Sequence, residues 1–252
     1  YDDWVPLYPY IKYPCACTTH FAYLDRPELM GPYKERVFDV FAQIKPVVFG
    51  LSDSINAAYN KVGIPWEKLF LNPNGVMNSN FQFRYTPHNP DRSVYLAKVD
   101  ERKRQHLFQD ISSLWFAGNI AEQRFDQYKN YLGEWKKDIL YRKLTEYGNL
   151  VLLSDGEAHS LVIMEAFAAG LGVVISQWAT ANLDLDKKFI TVIPEEKIGD
   201  IPYIEKRIIE NREYSLNNRQ EILDYAKQFE WSRILSDYYI PNIEKVIDGK
   251  IK

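Results

Sequence analysis

Glu157 and Glu165 stand eight apart in VLLSDGEAHSLVIMEAFAAGLGVVIS (Val151 to Ser176), the first ahead of a helical apolar pattern and the second inside it. A carboxylate among Ile163, Met164, Ala166 and Phe167 must be hydrogen-bonded if it is buried, and paired sugar hydroxyls would be a good partner. Between the glutamates a helix begins, at Ser160, Leu161 and Val162. A helix amino terminus offers unpaired N–H groups and a partial positive charge, a seat for phosphate oxygens. The stretch can therefore take both hydroxyls and phosphate. By residue type alone the other candidates are bland. Glu157 reads as a solvated loop residue, Lys98 and Lys103 of KVDERKRQ as a charged solvated face, and His20 as a polar residue at a strand end. His88 and His106 belong to no motif and read as surface.

Positioning these groups needs strands that feed helices. Short β-branched or aromatic runs mark strands at Cys15–Thr19, Pro46–Leu51, Lys68–Asn72, Ser93–Ala97, Leu114–Ala117, Leu150–Leu153, Gly172–Ser176 and Phe189–Ile193. Amphipathic patterns mark helices at Pro32–Gln43, Asp53–Val62, Arg102–Ile111, Trp135–Tyr147, Ser160–Ala169, Ile201–Asn211, Ser215–Phe229 and Trp231–Ile247, the last interrupted at Pro241. Strand and helix in turn is the signature of a parallel sheet with helices on its faces. The loop SDGEAHS then lies at the carboxyl end of a strand, where such sheets do their chemistry. A polar, Pro- and Asn-rich run from Asn72 to Arg92 breaks the alternation and reads as a connector between two α/β modules.

Composition narrows the function classes. With 31 basic against 34 acidic residues, the chain lacks the basic excess of a general nucleic-acid binder. No apolar run approaches the length of a spanning helix, and no signal-peptide pattern opens the chain, so the expected location is the cytoplasm. The two cysteines, Cys15 and Cys17, are expected to be reduced thiols lining a core; as a CxC metal half-site they would need partners that His20 alone does not supply.

Glu157-x7-Glu165, followed by Ala-Phe-Ala-Ala-Gly and a β-branched strand, resembles the E-x7-E segment of the retaining GT-B glycosyltransferases of group 1 (glycosyltransferase family 4). Further stretches resemble that family in order: Phe49-Gly50-Leu51-Ser52, Val62-Gly63-Ile64-Pro65, Leu71 to Val76, Tyr95 to Lys103, Leu114 to Gly118, Tyr131-Leu132-Gly133 and Phe229-Glu230-Trp231. The resemblance runs from about Tyr13 to Val246. It implies an α/β GT-B fold: two Rossmann-like domains facing a cleft. The expected divisions are 1–80 for a partial amino-terminal domain, 81–92 for a linker, 93–230 for the nucleotide-sugar domain, and 231–252 for a helix crossing back to the first domain.

The resemblance also implies roles. Glu165 would hold the donor's ribose hydroxyls, and Glu157 would face the reacting end of the transferred sugar. Lys98 and Lys103 would neutralise the diphosphate, helped by the backbone N–H groups of Ser160, Leu161 and Val162. His20 would reach donor sugar and phosphate, and His159, in the place of an aromatic, is a candidate sugar contact. The implied activity is transfer of a sugar from a UDP-, GDP- or ADP-sugar to a sugar, glycan or glycolipid acceptor, with retention. Neither metal nor cofactor is implied, because lysines take the cation's role; a peripheral membrane contact stays open.

Departures matter too. Gly-Arg of the diphosphate motif is Ala97-Lys98, the glycine after its lysine is Arg104, and E-G-F-G has become Glu157-Ala158-His159-Ser160. The proline between helix and strand is Gly172. The chain opens on tyrosine, and the family's glycine-rich loop has no counterpart, so a first domain lacking its start is expected. Two alternatives stay open: a GT-B module that binds nucleotide sugars without turnover, and another enzyme on a doubly wound sheet. The absence of G-x-G-x-x-G after a strand counts against a dinucleotide oxidoreductase.

Overall fold

The computed structural model describes residues 5–248, and the chain divides into two compact units. One takes the described residues through Asn74, the tripeptide Glu157–His159 and the segment from Trp231. The other takes Gly75–Gly156 and Ser160–Glu230.

In the first unit, β1 (Ala16–Cys17), β2 (Val47–Gly50) and β3 (Leu69–Leu71) form a parallel sheet in the order β1-β2-β3. Crossovers between parallel strands need helices, and α1 (Asp39–Ile44) and α2 (Asp53–Lys61) provide them. Phe38 and Phe41 stack on the Tyr59 ring at 5.3 and 5.6 Å, closing a core with Leu24, Leu51 and Ile64. Ser52, extended at φ −153°, starts α2 by accepting the Ile55 N–H at 3.3 Å. Cys15 and Cys17 are free thiols; Cys17 is buried, and burial pushes its pKa up, so it stays protonated in the core.

The second unit has β4 (Asn89–Leu96), β5 (Leu114–Ala117), β6 (Tyr147–Leu152), β7 (Gly172–Ser176) and β8 (Ile190–Ile193), all parallel, in the order β5-β4-β6-β7-β8. The helices are α3 (Lys137–Lys143), α4 (Leu161–Ala168), α5 (Ile201–Asn217) and α6 (Arg219–Ala226). Strands β6 and β7 are buried along their whole length, as parallel strands covered on both faces must be. At Gly172 a β-carbon would come within 2.0 Å of Ser215 Oγ and 2.8 Å of the Phe189 carbonyl, so α5 lies directly on β7.

Three local expectations change. The helix expected over Arg102–Ile111 is instead two 3-10 turns, Glu101–Lys103 and Gln105–Leu107, because Arg104 adopts φ 59° between them. The break expected after Asn211 does not occur. Asn211 and Ser215 are buried inside α5, with Asn211 Nδ2 donating to Val173 O, Phe189 O and Thr191 Oγ1 at 3.0–3.1 Å and Ser215 Oγ donating to Asn211 O at 2.7 Å. The run expected to link domains at 81–92 is bonded into the second unit, and the division falls after Asn74. Val76 N donates to Phe229 O (2.8 Å), Gln82 N to Tyr141 O (3.1 Å) and Arg84 N to Thr145 Oγ1 (2.9 Å), and residues 89–92 already belong to β4.

The terminal segment comprises α7 (Trp231–Ile234), a wide π turn over Leu235–Tyr239, and α8 (Ile240–Ile247). Pro241 has no N–H to give the carbonyl four residues back, and the widened turn seats it in the first turn of α8. Asn242 Nδ2 donates to Leu71 O (3.2 Å) and Asn72 Oδ1 (2.8 Å), and Tyr239 OH donates to Asn72 O (3.3 Å), which fixes this segment on the end of β3.

Candidate functional site

In the second unit the chain leaves β4 toward β5 on one side, while β6 continues the sheet on the other. Carboxyl ends of neighbouring strands at such a reversal form the crevice in which open α/β sheets take ligands. The turn after β4 carries Lys98 and Lys103; the loop after β6 leads to Ser160 and α4. Tyr95, buried on β4, links the two: its hydroxyl donates to the Lys103 carbonyl and accepts the Leu153 N–H at 2.8 Å. Asp155 N donates to Arg102 O (2.8 Å), and Arg102 Nη1 to Gly156 O. Asp100 caps the turn by accepting Lys103 N at 2.9 Å. Lys98 is exposed and Lys103 buried at 9% exposure, so the two lysines anticipated for a diphosphate differ in setting.

Arg104 stands where the resembled motif has glycine, and its left-handed backbone is the conformation glycine would favour. Two ion pairs hold it there. Its guanidinium meets both oxygens of Glu195 at 2.6 and 3.1 Å and Asp155 at 3.0 Å, while Trp178 Nε1 donates to Glu195 at 2.9 Å. These acids pull the Arg104 pKa up despite opposing burial. The cluster gathers residues that follow β4, β6, β7 and β8, and nothing in their spacing along the chain announces it.

Ser160 is the residue ahead of α4, and its side chain makes no capping bond to the helix. Leu161 is exposed, Val162 half-buried, and Glu165 lies one turn beyond Leu161 on the same face with 6% exposure. The Glu165 carboxylate is paired with the ammonium of Lys137, the first residue of α3, through Oε1. Lys98, Lys103, Ser160, Leu161, Val162 and Glu165 thus share the second unit; Lys137 is a partner that the sequence did not flag.

His20, Glu157 and His159 belong to the first unit. His20 lies three residues past β1 with an exposed side chain, yet enough protein surrounds the ring to push its pKa down. Glu157 is half-buried, and the Ala158 that follows it packs against the first unit's core. His159 is buried: its Nδ1 accepts the Asn74 N–H at 3.0 Å, and its carbonyl accepts Asn74 Nδ2 at 3.0 Å. Because Nδ1 accepts, the proton of the neutral ring is assigned to Nε2, which is buried without a hydrogen-bond partner among the described residues. Burial without an anionic neighbour pushes the His159 pKa down to about 4. The residue anticipated as a sugar contact is therefore a neutral anchor that fastens Glu157–His159 to Asn74. Asn74 was legible as part of Asn-Pro-Asn-Gly, but not as the partner of a residue 85 positions away.

Among the described residues no group of three or more His, Cys, Asp or Glu is arranged to hold a metal ion, and no helix is long and apolar enough to cross a membrane. No protein-family model and no curated protein matches the chain. Solved structures do. HepE of Anabaena in complex with UDP-glucose is similar with a TM-score of 0.71 at 15% identity, over 94% of this chain and 72% of that one. Sucrose-phosphate synthase of Thermosynechococcus elongatus gives 0.73 at 15% identity, over 98% and 71%. The pneumococcal O-GlcNAc transferase GtfA in complex with UDP and GlcNAc gives 0.64 at 15% identity, over 92% and 52%. At this identity the likeness establishes fold: α/β, with parallel sheets of the GT-B type.

Proposed function

We propose that this chain is a sugar-nucleotide-dependent glycosyltransferase of the group the sequence resembles, acting with retention and without a metal. The observation that supports it most is the reversal between β4 and β6, where a lysine-bearing turn and the start of α4 are hydrogen-bonded side by side. The fold is shared with proteins solved with UDP-glucose or with UDP and a sugar, which makes a nucleoside diphosphate sugar the natural ligand to test there.

In this reading the diphosphate lies over the first turn of α4, and Lys98 and Lys103 lend it positive charge. Breaking the bond between the anomeric carbon and the phosphate oxygen leaves negative charge on the diphosphate while positive charge grows on the sugar. Fixed cations stabilise the first and a carboxylate the second, so the lysines and Glu157 act in the transition state. Glu165 accepts hydrogen bonds from the ribose hydroxyls in the ground state. His20 contacts donor sugar or phosphate. The acceptor is a sugar, glycan or glycolipid.

Incubating the chain with UDP-, GDP- and ADP-sugars and following the released sugar by proton NMR tests this reading. Slow donor hydrolysis with the anomeric configuration retained is expected. Nucleotide binding with no release in any arm, with or without sugar acceptors, would mean a binding module; inverted product would end the retaining assignment.

A further inference from the structure

Glu165 and Lys137 form an unequal pair. The carboxylate is buried, with its side chain 8% exposed, whereas the lysine is 61% exposed and reaches inward from the first residue of α3. Ion pairs between two surface groups contribute little, and a long side chain loses rotamer freedom by holding one pose. This pair differs because its carboxylate is buried, and a buried carboxylate needs a donor. Lys137 supplies one to Oε1 only; the second oxygen, Oε2, takes no hydrogen bond from the described residues. On the same face of α4, one turn nearer its start, stands the exposed Leu161. The lysine has three N–H donors and spends one on Glu165. An oxygen acceptor on α4 beside an ammonium donor from the start of α3 matches a vicinal diol: one hydroxyl can give its proton to Oε2 while its neighbour's oxygen accepts from Nζ.

We propose that Lys137 and Glu165 together read the ribose diol of the donor nucleotide, so that Lys137 is a specificity-determining residue for ribonucleotides over deoxyribonucleotides. This rests on the proposed nucleotide-sugar function, and it adds to that function a residue the sequence resemblance does not mark. Lysine also holds the buried carboxylate oriented before the nucleotide arrives: the ammonium pairs with it from the solvent side without a second buried charge. Arginine in its place would keep the charge and the reach, whereas methionine would keep the stem and lose the donor.

The test is isothermal titration of UDP, 2′-deoxy-UDP and 3′-deoxy-UDP into wild type, Lys137→Met, Lys137→Arg and Glu165→Gln, with GDP and ADP and their deoxy forms run in parallel. Melting curves check that each variant folds, since Lys137→Met takes the donor from a buried carboxylate whereas Lys137→Arg keeps one. Wild type should favour the ribonucleotide over at least one deoxy analogue by about ten-fold or more, the weight of a hydrogen bond to a charged group. Lys137→Met should weaken the ribonucleotide and leave that deoxy analogue unchanged, so the preference collapses toward one; Lys137→Arg should restore it in part. A Lys137→Met protein with the wild-type preference overturns the inference while the nucleotide reading stands. A Lys137→Met protein that binds the ribonucleotide more tightly than wild type also overturns it, because the lysine would then be a competitor for Glu165. No binding of UDP, GDP or ADP to wild type overturns both the inference and the function on which it rests.

Discussion

Acid should destabilise this chain through His159, and one substitution should remove that part of the effect. The unfolded ring takes a proton near pH 6.5, whereas the buried ring resists protonation down to about 4. Between those values the unfolded state binds a proton that the native state refuses. Stability is therefore full above about pH 6.5 and falls as the pH drops toward 4. That interval, at about 1.4 kcal/mol per pH unit, corresponds to a loss of about 3 kcal/mol. The geometry sets the direction independently. A proton on Nδ1 would displace the bond from Asn74 N–H, and the Nε2–H of the charged ring has no acceptor among the described residues. His159→Phe keeps a ring of similar size but cannot titrate. It should be less stable than wild type at pH 7.5 by about 1–2 kcal/mol, because Asn74 loses its acceptor, yet flatter between pH 6.5 and 4. Urea unfolding followed by tryptophan fluorescence at half-unit steps of pH measures both curves. His20 and His106, whose pKa values burial also lowers, are present in both proteins and cancel in the difference. Parallel curves for wild type and His159→Phe would refute the argument that this ring is held neutral.

Other substitutions probe the second unit and the tripeptide. Lys103→Ala should weaken UDP by about ten-fold or more while leaving uridine nearly unchanged, since a charge-assisted contact to diphosphate contributes about 1.5–3 kcal/mol; equal losses in titration calorimetry would remove Lys103 from the leaving-group site. Arg104→Ala should destabilise the fold by about 1–3 kcal/mol, because it removes the pairs to Glu195 and Asp155 but keeps the left-handed backbone strain. Arg104→Gly should recover part of that loss by relieving the strain, and urea unfolding that ranks glycine below alanine would contradict it. Glu157→Gln should bind nucleotide as wild type does and hydrolyse donor more slowly; a wild-type rate would take the catalytic role from Glu157.

The strands were legible because a fully buried parallel strand must be written as a short, nearly continuous apolar run, and Leu150–Leu153 and Gly172–Ser176 are such runs. The interruption at Arg104 was not, because arginine carries no signal for a left-handed backbone, and the acids that pair with it, Asp155 and Glu195, are distant in sequence. The run from Asn72 to Arg92 looked like a connector because it is polar and rich in Pro and Asn, yet Gln82 and Arg84 bond to Tyr141 and Thr145, which local composition cannot reveal. At the site, Glu165 could be singled out because a carboxylate in an apolar helix demands a partner. Which partner could not be read, since Lys137 is one of two adjacent lysines at the start of a short helix. His159 was marked by its departure from the resembled motif, but its bond to Asn74 comes from tertiary packing alone.

The central claim is that the second unit binds a nucleotide sugar at the carboxyl ends of β4 and β6, with Glu165 on the ribose. Melting temperatures of wild type and Glu165→Gln, each measured with UDP-, GDP- and ADP-sugars, test it most directly. At a hundred times the dissociation constant a ligand adds about 2.7 kcal/mol to the native state, which raises the melting point of a chain this size by about 5 °C. The account predicts such a rise in wild type for at least one nucleotide sugar and a clearly smaller rise in Glu165→Gln at the same concentration. No rise with any of them, or the same rise in both proteins, would contradict it.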